Sequence, residues 1–233
     1  MQLEKITNSE KMATRRWYDD ACGAAHALDI VGERWALLVI RELMLGPKRF
    51  TDLRASLPGI SANVLTQRLE GLEAAGVLEK RRLPPPVSAQ VYELTPWGYE
   101  SEPIFQTLGR WAARSPTHDP SLPLSATSLL MSFRTMIVRE RAAGMDAVIG
   151  FRIGGESFRV HVHDGEIDAA RAGYGDASLI FTMEVGAVMA GAVYAGQMAD
   201  LEAAGALTIE GDGALAQKFV TLFELPPKVG AEG

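Results

Sequence analysis

Residues 61–75 hold the side chains with the clearest recognition chemistry. Three leucines recur at the spacing of one helix face, which predicts an amphipathic helix with that face inward: Leu65, Leu69 and Leu72. Successive helical residues turn by about 100°, so Asn63, Thr66 and Gln67 fall on the outer face near the amino end. Asn and Gln pair with adenine edges in the DNA major groove, and Thr contacts a thymine methyl group or a phosphate. We therefore predict a DNA-reading helix, with the Ser61 hydroxyl capping its first turn.

Basic side chains lie before, within and after this helix, and they have the charge that phosphate contacts require: Lys48, Arg49, Arg68, Lys80, Arg81 and Arg82. Lys48 and Arg49 open the preceding predicted helix, whose free N–H groups also favour phosphate. The alternative is that all of these are ordinary solvated side chains on a polar surface.

Other chemistry is sparse. Cys22 is the one cysteine, which excludes an intrachain disulfide. Near a helix start its thiol is either a redox sensor with a lowered pKa or a small buried apolar group. His161 and His163 share a strand face, but no third ligand accompanies them, so we expect solvated imidazoles and no metal. Phosphate-loop, nucleophile-elbow, HExxH and CxxC patterns are absent, so we expect neither a cofactor nor enzyme activity.

The charged residues are unevenly distributed along the 233 residues of the chain. The formal net charge of −6 argues on its face against binding to nucleic acid. Residues 1–115, however, hold 15 basic and 14 acidic residues, whereas residues 116–233 hold 8 and 15. A proline-rich stretch marks the step, so we predict a DNA-binding and dimerisation domain at 1–115, a linker at 116–125 and a second domain at 126–233. Without a signal-peptide core or a spanning apolar stretch, a cytoplasmic protein with no membrane partner is expected.

The predicted elements of the first half follow the order of a winged helix, mainly α with a β-hairpin wing. They are helices over 22–45, 50–57, 61–75 and 95–114, and strands over 77–83 and 91–94 around a tip at 84–90. The second half predicts an α+β domain, an antiparallel sheet covered by helices. Its helices are predicted over 125–143, 185–203 and 214–223, and its strands over 148–153, 157–162, 166–170, 179–183 and 206–210. Gly154 and Gly155 form a hairpin turn there.

Residues 22–112 resemble the HxlR-type winged-helix family of bacterial transcription regulators. Stretches that carry this resemblance, in order, are Ala27-Leu-Asp-Ile-Val-Gly-Glu-Arg-Trp35, Gly46-Pro-Lys-Arg-Phe50, Leu57-Pro-Gly-Ile-Ser61, Leu72-Glu-Ala-Ala-Gly-Val-Leu78 and Tyr92-Glu-Leu-Thr-Pro-Trp-Gly98. The resemblance implies a DNA-binding dimer, with the Ser61 helix in the major groove and the wing tip on the backbone or minor groove. Pairing of terminal helices implies dimer contacts at Tyr99, Phe105, Leu108 and Trp111. Some members sense oxidants through a cysteine at the place of Cys22, although Gly23 stands here where proline is common.

Residues 128–225 are similar to the sterol-carrier-protein fold, on the strength of Val160-His-Val-His-Asp-Gly-Glu-Ile167, Ala177-Ser-Leu-Ile-Phe-Thr-Met183 and Leu207-Thr-Ile-Glu-Gly-Asp212. This implies a layered sheet with an apolar tunnel. Flexible side chains suit such a cavity, so we predict a pocket at Met183, Met189, Met198 and Phe223; plain core packing is the alternative.

These features together predict a dimeric regulator that binds a double-stranded DNA operator and responds to a small apolar ligand in its C-terminal domain. The alternative is a carrier of lipids or other hydrophobic ligands, whose winged helix is a protein-interaction module.

Overall fold

The computed structural model describes residues 18–85 and 88–230. Residues 1–17, within the predicted DNA-binding domain, and Pro86 and Val87 of the predicted wing tip lie outside the described residues. The elements of the first half are α1 (Gly23–Val31), α2 (Ala36–Leu43), α3 (Phe50–Ser56), α4 (Ala62–Ala74), β1 (Leu78–Arg82), β2 (Gln90–Leu94), α5 (Pro96–Tyr99) and α6 (Glu102–Ala113).

The helix predicted over 22–45 is two helices, because the chain turns sharply between α1 and α2. At Gly32 a Cβ atom would lie 2.4 Å from the carbonyl oxygen of Leu28. Trp35 then adopts a left-handed backbone conformation, with φ of +79°, immediately before α2. The apolar pattern runs through both helices, so it does not mark the break.

The helix-turn-helix of α3 and α4 is confirmed. The Ser61 hydroxyl accepts a hydrogen bond from the Val64 N–H at 3.3 Å, as the predicted cap requires. The three leucines of α4 are buried: Leu65, Leu69 and Leu72. Their burial fixes the rotation of α4 and turns its polar face outward.

The hairpin and the terminal helices complete the winged helix. Strands β1 and β2 pair antiparallel from Leu78 opposite Leu94 to Arg82 opposite Gln90. The long helix predicted after Thr95 is divided into α5 and α6. Pro103 has no N–H to donate to the preceding helical turn, so α5 cannot continue through it.

The second half contains α7 (Ala126–Met136), α8 (Arg139–Ala142), β3 (Ala147–Ile153), β4 (Glu156–His163), β5 (Glu166–Arg171), β6 (Leu179–Met183), α9 (Gly186–Tyr194), α10 (Met198–Ala203), β7 (Thr208–Gly211) and α11 (Gly213–Val220). The strands form one sheet in the order β5-β4-β3-β6-β7. Positive φ angles at Gly154 (+54°) and Gly155 (+84°) confirm the predicted hairpin turn.

The prediction of a wholly antiparallel sheet is wrong, because β6 lies parallel to β3. After edge strand β5 the chain crosses to the far side of β3 and enters β6 in the direction of β3. The sheet is therefore mixed. Two predicted helices are also each divided into two. The helix predicted over 125–143 is interrupted at the extended residue Ile137, which forms a β-bridge with Phe223. The helix predicted over 185–203 is interrupted at Gly196, where φ is +65°.

The two halves pack against each other and share one hydrophobic core. Helix α7 lies against α2 and α6. The Arg171 guanidinium, at the end of β5, donates from Nη1 to the carbonyl oxygens of Gly46 and Pro47, each at 3.3 Å. The second domain thus holds the turn that leads into the helix-turn-helix.

Candidate nucleic-acid interface

The outer face of α4 carries the predicted base-reading side chains. Asn63, Thr66 and Gln67 are all exposed, and Ser61 is exposed at the helix start. The first turn of α4 contains no acidic residue. An uncrowded polar face at the amino end of a helix is the arrangement that helix-turn-helix proteins use in the major groove.

Arg68 lies beside this face but is turned back toward the start of α2. Its Nε atom donates to the Arg34 carbonyl oxygen at 3.1 Å, and its Nη2 atom lies 3.1 Å from a Glu33 carboxylate oxygen. These contacts fix α4 against the turn between α1 and α2.

Lys48 corrects the sequence-based prediction of a phosphate contact. Its side chain is only 3% exposed, and its Nζ atom lies 2.9 Å from Glu42 Oε2 and 2.9 Å from Ser56 Oγ. Glu42 is fully buried and also accepts from Arg41 Nη2 at 2.9 Å and from the Ser125 hydroxyl at 2.7 Å. The lysine is therefore the counter-ion of a buried carboxylate and is not available to a phosphate.

Burial raises the pKa of Glu42, but the positive charges of Lys48 and Arg41 outweigh it, so the pKa is lowered overall. The ionised carboxylate is the stable form in the folded chain.

Arg49 is the exposed neighbour of Lys48 and precedes the first residue of α3. In the hairpin, Lys80 pairs with Glu73 at 3.1 Å, and Arg81 pairs with Glu93. Arg82 is exposed, and within the described ranges it has no ion-pair partner. Exposed ion pairs contribute little to stability, so Lys80 and Arg81 can exchange their carboxylates for phosphates at little cost.

Helix α6 has two different faces. Leu108 and Trp111 are exposed, Trp111 by 72%, and Ile104 joins them one turn earlier. Tyr99 and Phe105 are partly buried and pack against the core. The opposite face of α6 docks on the second domain, where Arg110 donates to the Thr135 carbonyl oxygen at 3.1 Å. Of the predicted dimer contacts, Leu108 and Trp111 are thus open to a partner.

Cys22 is exposed at the amino end of α1, which argues against the alternative that it is a small buried apolar group. The backbone N–H groups of Ala24 and Ala25, at the start of α1, lower the pKa of its thiol. His161 and His163 lie side by side, with ring centroids 4.6 Å apart. His161 is hydrogen-bonded to Asp146, and His163 to Asp168. Among the residues that the structure describes, no three or more His, Cys, Asp or Glu side chains form a group that could hold a metal ion.

The predicted ligand-pocket residues lie deep in the second domain. Met183, Met189, Met198 and Phe223 are buried in the shared core. Phe223 stacks on Phe133 with ring centroids 4.5 Å apart. The role of these side chains in binding a ligand stays a prediction.

Sequence reasoning missed the residues that join the domains. Glu42 had a detectable signal, because a lone acid within an apolar helix requires a partner. Arg171 and Ser125 had none, since each is an ordinary polar residue whose contact lies far away in the chain.

Comparison with known proteins gives two separate family matches along the chain. Residues 30–119 match the family model of the HxlR-like helix-turn-helix, and residues 128–224 match the SCP-2 sterol transfer family. The uncharacterized HTH-type transcriptional regulator YvaP of Bacillus subtilis is 36% identical over 86 residues, which are 37% of this chain and 80% of the relative. The regulator YodB of the same organism is 37% identical over 86 residues, 37% of this chain and 77% of YodB.

Among solved structures, the reduced form of YodB from B. subtilis is 33% identical and covers 43% of this chain and 100% of its own, with a TM-score of 0.38. No helix in the described ranges is long and apolar enough to span a membrane.

Proposed function

The chain belongs to the HxlR-like helix-turn-helix family of DNA-binding transcription regulators, and we propose that it acts as a dimer whose operator affinity depends on an apolar ligand. The observation that carries the DNA-binding part is the capped helix α4, whose exposed outer face presents Asn63, Thr66 and Gln67. Asn and Gln at such positions make paired hydrogen bonds to adenine, so A·T pairs are expected in each half-site.

Phosphate contacts in this proposal come from Arg49 and Arg82, which are both exposed and have no carboxylate partner in the described chain. Lys80 and Arg81 join them once their exposed ion pairs open. These contacts orient the protein on the duplex, whereas the α4 side chains supply sequence selection.

A two-fold dimer is supported by the apolar stripe on α6. Ile104, Leu108 and Trp111 recur on one helix face and are exposed together, and such patches on soluble proteins mark interaction sites. A two-fold interface uses the same patch on both subunits. The two α4 helices would then read half-sites about 34–36 Å apart, or a multiple of that distance.

The ligand-responsive part is supported by the SCP-2 match and by the packing of the two domains. Because the second domain holds α2, α6 and the turn before α3, a ligand that favours one arrangement of that domain also favours one arrangement of the helix-turn-helix. The SCP-2 match likewise supports a second candidate, a carrier of hydrophobic molecules.

A mobility-shift titration against DNA from upstream of the protein's own coding region tests the regulator. We expect a shift whose affinity falls with salt. Gln67→Ala should weaken binding to this DNA by about 1–3 kcal/mol and leave binding to random duplex unchanged. Gln217→Ala, an exposed glutamine on α11, is the matched control. A folded protein that shifts no DNA at physiological salt would favour the carrier instead.

A further inference from the structure

A groove of about 800 Å³ lies between the two domains, away from the aromatic core. Trp35, Leu38 and Leu57 form its wall on the winged helix, the linker adds Leu122 and Leu124, and Val185 closes the far side. Leu38, Leu122 and Val185 are exposed large apolar side chains. Ligand sites of proteins are typically concave, mostly apolar, about 300–1,000 Å³ in volume and frequent at domain interfaces.

One end of the groove is polar and positively charged. Arg41, Ser125 and Ser128 line it there. Behind them lies Glu42, whose single negative charge is surrounded by the two positive charges of Lys48 and Arg41. The cluster therefore keeps one surplus positive charge, and Arg41 is its charged member that lines the groove.

The Arg41 guanidinium has hydrogen-bonding capacity left for a ligand. It donates to Glu42 from Nε at 3.2 Å and from Nη2 at 2.9 Å. Its Nη1 atom has no hydrogen-bond partner among the described residues. A carboxylate or phosphate is the usual partner of such a group, and a charge-assisted bond is about twice as strong as a neutral one.

Two helices add to this field. Ser125 and Ala126 at the start of α7, and Val185 and Gly186 at the start of α9, all line the groove. Neither helix has an acidic residue in its first turn, and Val185 provides no side-chain cap. At α7 the Ser125 hydroxyl already accepts from the Ser128 N–H and donates to Glu42, so the uncapped start of α9 is the stronger attraction for an anion in the groove.

The acidic residues of the groove do not cancel this preference. Glu156 is paired with Arg171 at 2.8 Å, so the two together are neutral. Glu184 is exposed, where water and salt screen its charge. The surplus charge on Arg41 borders a buried cluster, where screening is weaker.

We propose that this groove binds an apolar carboxylate, such as a fatty acid, with the carboxylate on Arg41 and the tail along Leu38, Leu122 and Val185. The site is separate from the predicted pocket at Met183, Met189, Met198 and Phe223. Its regulatory role rests on the function proposed above: because both domains and the linker form the walls, an occupied groove changes how the helix-turn-helix is held and therefore changes operator affinity.

The test is a calorimetric titration of the full-length protein, without DNA, with decanoate, methyl decanoate and decylamine. We expect one decanoate per chain, with the uncharged ester and the cationic amine each bound at least about tenfold more weakly. Arg41→Gln should weaken decanoate binding by about tenfold and leave ester binding unchanged. Equal affinity for all three molecules would overturn the proposal.

A second variant guards against a folding defect in Arg41→Gln. Leu122 is 60% exposed, so Leu122→Asp should fold normally while placing a negative charge in the groove. It should abolish decanoate binding, whereas Val229→Asp, at an equally exposed apolar residue outside the groove, should not. Decanoate binding that survives both Arg41→Gln and Leu122→Asp would place the ligand elsewhere and overturn the proposal.

The regulatory step is measured separately, as the change in operator affinity on adding decanoate. We expect a change in the parent protein and none in Leu122→Asp. If the protein binds no operator at all, the proposed function fails, while the titration without DNA still decides whether the groove is a carboxylate site.

Discussion

Replacing Lys48 and Arg49 separately by glutamine should have opposite consequences, although the two residues are adjacent. Lys48 is buried against Glu42, whereas Arg49 is exposed at the start of α3. We expect Lys48→Gln to lower the free energy of unfolding and to leave the salt dependence of DNA binding unchanged. Arg49→Gln should reduce the salt dependence and leave stability unchanged.

The size of the stability effect follows from the contacts of Glu42. Loss of one partner from a buried ion pair costs about 3–5 kcal/mol, because the remaining charge is left without compensation. In Lys48→Gln the carboxylate keeps Arg41 at 2.9 Å and the Ser125 hydroxyl at 2.7 Å. We therefore expect the lower end of that range, about 3 kcal/mol. A double variant, Glu42→Leu with Lys48→Met, should lose much less, because it leaves neither charge buried.

Urea unfolding followed by circular dichroism measures the stability change, and the slope of log K against log salt on a random duplex measures phosphate contacts. Removing one basic side chain that binds a phosphate should reduce the slope by about 0.9. If Lys48→Gln were as stable as the parent and had a smaller slope, Lys48 would bind phosphate after all. That result would refute the burial argument for this residue.

Other parts of the molecule give three further predictions. Trp111→Glu should convert the proposed dimer to a monomer in sedimentation experiments, since it places a charge at the most exposed residue of the α6 stripe, whereas Leu122→Glu should not; an unchanged dimer would exclude α6 as the interface. Because the pKa of Cys22 is lowered, its alkylation by iodoacetamide should reach half its maximal rate at a lower pH than that of a free cysteine; a midpoint at or above the free value would contradict the role of the α1 N–H groups. The lowered pKa of Glu42 means that its ionisation stabilises the fold above the unfolded-state pKa of about 4.3, and this contribution is lost as pH falls through the folded-state value. The difference in the free energy of unfolding between the parent and Glu42→Gln should therefore shrink in acid. A constant difference would show that the negative charge of Glu42 does not stabilise the fold.

Much of the winged helix was predictable because its determinants are local. The spacing of Leu65, Leu69 and Leu72 sets the rotation of α4, and the Ser61 cap sets its start. The Gly154-Gly155 turn likewise follows from two residues that tolerate positive φ. Each of these features depends on residues within about one or two helical turns of one another.

Helix boundaries were less predictable where tertiary geometry interrupts a continuous pattern. The break before α2 depends on the left-handed conformation of Trp35, and nothing in the type of that residue indicates it. The parallel pairing of β6 with β3 depends on where a loop crosses the sheet. Strand periodicity records only which face is buried and is the same for either direction.

The misassignment of Lys48 shows why charge near a predicted recognition helix is an incomplete guide. Its position two residues before α3 favours phosphate only if the surface behind it is open. Here Glu42 lies on the inner side of α2 and bonds the Lys48 ammonium, which also bonds Ser56, so the lysine side chain points inward. The Ser125 hydroxyl, just before α7, donates to the same carboxylate. Arg171 binds the same turn from the second domain through backbone carbonyl oxygens, which any sequence would supply. Burial against Glu42 and Ser56 thus removes one of the predicted basic residues from the surface. Among the predicted residues, Arg49 and Arg82 with the loosely paired Lys80 and Arg81 stay exposed, and each one that binds a phosphate should contribute about 0.9 to the salt slope.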